Sequence, residues 1–139
     1  MMENSPVLVE LAAKVEAATG PTHVLWLEIY DTLHPGERDA RFAELNKAYG
    51  RRLGPADRDG YTQPRGGNFL ASLDAAMTLV PEGCRLRGLG QGKSGAWTAD
   101  IVDRDHRCIG IGSAKGPALA LAAACLRSLA NKETNNASQ

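Results

Sequence analysis

The stretch Gly116-Pro117-Ala118-Leu119-Ala120-Leu121-Ala122-Ala123-Ala124-Cys125-Leu126-Arg127 constrains the fold more than any other part of the chain. Pro117 suits the first turn of a helix, and Ala118 to Asn131 is almost all strong helix formers. Leu119, Ala122, Ala123, Leu126 and Leu129 fall on one side of that helix. So many alanines leave little side chain between the helix axis and whatever it packs on. A flat partner, a sheet, is the natural counterpart.

The residues just upstream supply that sheet. Cys84–Leu89 alternates Cys84 and Leu86 with Arg85 and Arg87; Ala96–Asp103 alternates Trp97, Ala99 and Ile101 with Thr98, Asp100 and, in part, Val102; Cys108–Gly112 is a shorter third strand. The connections, 90–95 and 104–107, are short enough for hairpins, so the strands form an antiparallel meander with one packed and one wet face.

Helices come first in the chain. Ser5-Pro6 opens one with Val7, Leu8, Leu11, Val15 and Ala18 at helical spacing, and Gly20 is placed for a left-handed stop. Thr22 caps a second with Leu25, Ile29 and Leu33 in a stripe, broken at His34-Pro35-Gly36. A third runs from Glu37 to Tyr49, with Phe42, Leu45 and Tyr49 apolar and Gly50 as its stop. Residues 51–67 read as a long loop, and Asn68 or Ser72 caps a short helix ending at Pro81-Glu82-Gly83. The sum is an α+β class: N-terminal helices, then a three-stranded antiparallel sheet covered by a C-terminal Ala-rich helix, a layered α/β sandwich. It is one domain over 1–131, with a helix/loop elaboration at about 35–67 and a disordered tail at 132–139.

Composition excludes several classes. Of 139 residues 43% are hydrophobic, enough for an ordinary core without disulfides or metal. No apolar run reaches the roughly 20 residues of a membrane span, and the N-terminus lacks a signal-peptide pattern, so a cytoplasmic setting is expected. Cys84, Cys108 and Cys125 are spaced by 24 and 17 residues, and His23, His34 and His106 are scattered, which predicts small buried thiols and neither metal nor cofactor. No G-x-S-x-G occurs, His106 sits in a turn away from Cys108, and turn chemistry accounts for Asp103 and Asp105, leaving Asp100 without a partner carboxylate. No catalytic residue is assigned.

Charge is unevenly spread. Residues 1–50 hold four Lys/Arg against eight Asp/Glu, whereas 84–132 hold eight against three. The candidate partner-binding residues are accordingly basic: Arg51, Arg52, Arg58 and Arg65 in the long loop, with Tyr61 beside them as an anchor, and Arg85, Arg87, Lys93 and Lys115 on and around the sheet. The run 110–116, Gly-Ile-Gly-Ser-Ala-Lys-Gly, precedes a helix and could approach a phosphate, but matches neither glycine-rich nucleotide fingerprint. The order helix, three strands, helix is similar to that of a double-stranded-RNA-binding domain, with Lys115 as the one lysine at the last helix's start.

Three segments carry a family resemblance: Gly20-Pro21 with Leu25 and Ile29 after a leading helix, residues 72–83 (SLDAAMTLVPEG), and residues 116–127. The chain resembles the phage ABA sandwich domain family of tailed-phage and prophage genomes. Gly116 stands where members often have a threonine before the proline. The resemblance implies a small phage-encoded accessory protein with helices packed on a sheet, acting in the host-cell cytoplasm. It implies no activity and assigns no functional residues. The expectation that follows is a non-catalytic protein that binds a host macromolecule, with a host protein as partner and inhibition of a bacterial defence system (anti-CRISPR-like) as its role. The alternatives are a nucleic-acid or nucleotide binder, such as a defence-signal sponge, and a structural or packaging accessory. A homodimer through open sheet edges stays among the options.

Overall fold

The computed structural model describes residues 5–49, 54, 57–64 and 67–137. Strands β1 (Arg85–Gln91), β2 (Trp97–Val102) and β3 (Cys108–Ala114) form one antiparallel sheet in the order β1-β2-β3. The long C-terminal helix (Pro117–Ala137) lies across it, most closely on β3, and the first helix (Ser5–Ala17) packs beside that helix and touches β3. The α+β layering expected from the sequence is the one observed.

The contact between β3 and the C-terminal helix explains the composition of both. A Cβ placed on Gly110 would fall 2.2 Å from the Ser128 hydroxyl and 2.3 Å from the Ala124 carbonyl, and one on Gly112 would fall 2.2 Å from the Ala120 carbonyl. Ala120, Ala124 and Ser128 form an i, i+4, i+8 ridge, so helix backbone rests directly on strand backbone. Leu119, Leu121, Cys125 and Leu126 fill the space to either side, with Ala99 and Ile101 from the sheet and Leu8, Leu11, Ala12 and Val15 from the first helix. Each buried leucine here contributes about 1.5–3 kcal/mol.

In chain order the remaining helices are α2 (His23–Leu33), α3 (Glu37–Tyr49), α4 (Arg58–Tyr61) and α5 (Leu73–Met77), which makes the first helix α1 and the C-terminal one α6. Thr22 and Ser72 cap as expected: their hydroxyls accept from Leu25 N (3.2 Å) and Ala75 N (3.3 Å). Leu25, Trp26, Leu27 and Ile29 carry α2 into the core.

Several details differ from the sequence expectation. Gly20 is not left-handed; Gly36, Gly67, Gly83 and Gly95 are, as is His106 at φ 65°. Ser5 reaches the Ala130 carbonyl of α6 at 3.1 Å, so its hydroxyl ties two helices. Val7 is exposed and Ala12 takes its place in the buried stripe. Val102 is fully buried, beside a ladder irregularity where Ile109 is the extra residue and simple alternation breaks. α6 continues through Ala137, past the expected end near Asn131, and Lys132 fastens that stretch by donating to the Glu82 carbonyl at 2.7 Å. The expected stop at Gly50 lies outside the described residues.

Candidate functional site

The elaboration between α2 and α5 is where the fold departs most from a plain helix–sheet sandwich. The segment expected as loop contains α4, one helical turn that includes Gly60. Propensity does not favour that turn; side chains hold it. Arg38 of α3 is 1% exposed, and its guanidinium donates to Asp31 of α2 (2.7 Å), to Asp59 of α4, and to the Thr62 carbonyl (3.1 Å). Arg58 extends the network to Asp39 (2.5 Å), Asp59 (3.2 Å) and Asp31 (3.5 Å). Three aspartates and two arginines thus bind three helices together.

α3 is attached by polar contacts throughout. Tyr30 of α2 donates its hydroxyl to Glu37, and Arg41 bridges Glu37 (3.1 Å) and the Gln63 carbonyl (3.2 Å). The Tyr30 hydroxyl, aided by Arg41, holds the Glu37 carboxyl below its ordinary pKa. Among the described side chains of α3, none joins the hydrophobic core; Phe42 and Leu45 are half-buried and stand apart from it. Beside them Tyr61 is 54% exposed, and with Ala40, Glu44, Leu45 and Ala48 it borders an open groove of about 570 Å³. Tyr61 is therefore at a concave, partly apolar surface, as an anchor residue would be.

The other predicted residues that the structure describes do not converge on that groove. Arg58 is engaged with its aspartates. Arg85 donates to His106 Nδ1 (2.7 Å), and Arg87 lies within 2.5 Å of Asp100 across the sheet's outer face. Lys93 and Lys115 are exposed, without an ion-pair partner among the described residues, at separate places: the β1–β2 turn and the junction of β3 with α6. Arg51, Arg52 and Arg65 lie outside the described residues.

Gly110 and Gly112, weighed as a phosphate approach, are occupied by α6 itself. Cys125 is buried, and burial pushes its thiol up to about 12; Cys84 is half-buried. Cys108 is exposed, contrary to the expectation of a buried thiol, at the first position of β3. Among the described residues no cluster of His, Cys, Asp and Glu could hold a metal ion, and no helix is long and apolar enough to cross a membrane.

Sequence reasoning missed Arg38. The signal was present: 38, 42, 45 and 49 continue one helical stripe, so an arginine sat in line with Phe42, Leu45 and Tyr49. An arginine there needs carboxylates from elsewhere, and Asp31 and Asp59 supply them.

Compared with protein-family models, curated proteins and solved structures, the chain matches none.

Proposed function

We propose that this chain is a non-catalytic, phage-encoded accessory protein of the ABA sandwich type, which binds a host protein through the face built by α3 and α4. Its action in the host-cell cytoplasm, and inhibition of a bacterial defence system as the outcome, belong to the same proposal and rest on the family resemblance. The observation that carries the binding surface is Tyr61, exposed beside the α3 groove on an outwork whose described side chains add nothing to the hydrophobic core. A surface aromatic next to a concave, partly apolar lining, held in place by a buried arginine, has the makings of an interface centre.

Nucleic-acid binding draws less support. Phosphate contacts require several uncommitted cations in one place, and Arg87 and Arg58 already face carboxylates while Lys93 and Lys115 stand apart. The test is affinity capture from host lysate, with and without nuclease, comparing the parent chain with Tyr61→Ala and with the Arg85→Glu/Arg87→Glu pair. A host protein retained by the parent and the charge-reversed chain but lost by Tyr61→Ala supports the proposal. Loss with the charge-reversed chain alone, or upon nuclease treatment, moves the function to the sheet.

A further inference from the structure

The two edges of the sheet are treated differently. β3 is an edge strand, and its alternate residues Gly110 and Gly112 pair inward with β2, so the backbones of Ile109, Ile111 and Ser113 turn outward. Each is met by a side chain from a helix. Asn131 donates to the Ile109 carbonyl, Arg127 donates to the Ile111 carbonyl at 2.9 Å, and Glu16 accepts from Ser113 N at 2.8 Å. Glu16 and Arg127 are also paired with each other, at 2.5 and 2.7 Å. Three consecutive outward positions are thus answered by side chains where a neighbouring strand would otherwise sit. An open depression of about 450 Å³ runs along this edge, so the strand is approachable once those side chains are gone.

We propose that the β3 edge is a latent strand-pairing surface, held shut by Glu16, Arg127 and Asn131, and that its occupant when they are removed is β3 of a second copy. The strand's own sequence argues for a copy of itself. Cys-Ile-Gly-Ile-Gly-Ser-Ala contains no charged residue and no proline. An antiparallel two-fold pairing about Ile111 sets Ile111 against Ile111 and Ile109 against Ser113, with no like charges opposed. Ile111 is 52% exposed, so its side chain gains burial in that pairing. β1 carries Arg85 and Arg87 and a ladder irregularity between Leu86 and Gly88, both of which discourage added strands.

The test is sedimentation velocity over a hundredfold concentration range on full-length Arg127→Met, which keeps the apolar stem and removes the guanidinium. The variant should self-associate toward a dimer at concentrations where the parent keeps its own state. Adding Ile111→Lys, a lysine on the edge strand, should return it to the parent's behaviour. Glu16→Ala serves as the second variant should Arg127→Met lose its native circular dichroism, and the same association is expected of it. Folded variants that sediment as the parent does at every concentration overturn the proposal. So does association that persists with Ile111→Lys, since it must then use another surface.

Discussion

Gly112 and Ala120 meet backbone to backbone: a Cβ at position 112 would lie 2.2 Å from the Ala120 carbonyl oxygen and 2.6 Å from the Ala124 nitrogen. Neither of those atoms can move without displacing α6. Gly112→Ala is therefore expected to destabilise by about 1–3 kcal/mol, the usual scale for overpacking, or to dislodge the helix. Gly20→Ala is the contrast, because nothing lies within 4 Å of its Cβ position and its backbone is not left-handed. It should leave stability unchanged or raise it by about 0.4–1 kcal/mol. Urea unfolding of the two variants against the parent checks both.

Arg38→Met should cost about 1–3 kcal/mol, since the buried Thr62 carbonyl loses its donor, while Asp31 and Asp59 are partly exposed and keep Arg58. Hydrogen exchange would locate the damage. Amides of α3 and α4 should lose protection while those of β2 and α6 keep theirs. Uniform loss across all four elements would show that the network supports the whole fold.

Glu16 gives a pH dependence of definite sign. The Arg127 hydrogen bond, opposed by burial and aided by Ser113 N, holds its carboxyl below the ordinary 4.5. A depressed folded pKa adds stability above the unfolded value, and that stability is lost as pH falls through the folded value. The parent should therefore lose stability below about pH 4.5 more steeply than Glu16→Gln. Chemical unfolding at pH 6, 4.5 and 3 reads the difference, and parallel curves would mean the pair is not formed in solution.

Thiol labelling should separate the cysteines. Cys108 is exposed and should react first with an aromatic disulfide at pH 8. Cys125, buried with its thiol pushed up to about 12, should react only on unfolding. Fast labelling of Cys125 in the native state would place a large opening motion in α6.

The parts of the fold that were legible in the sequence are those set by local rules. The Ala-rich run, the caps at Thr22 and Ser72, the Pro81-Glu82-Gly83 turn and the three alternating strands each announce themselves within a few residues. What was not legible depends on partners distant in the chain. Gly110 and Gly112 read as strand glycines open to a phosphate until α6 is laid on them. Arg38 was not singled out, because its aspartates come from 7 residues before it and 21 after it. Of the candidate site, Tyr61 could be singled out beforehand, but the groove beside it could not, since α4 lay within what read as loop.

The network around Arg38 has a consequence for how such a chain can diversify. A segment joined through hydrophobic packing changes only in step with the core it fills. The described residues of the 37–62 segment are fastened to α2 through the Asp31 carboxylate and the Tyr30 hydroxyl, and none of their described side chains joins the hydrophobic core, so their outer surface is insulated from the layers beneath. The chain is in effect a chassis with an exchangeable fitting, in which a new specificity can be mounted without redesigning what carries it.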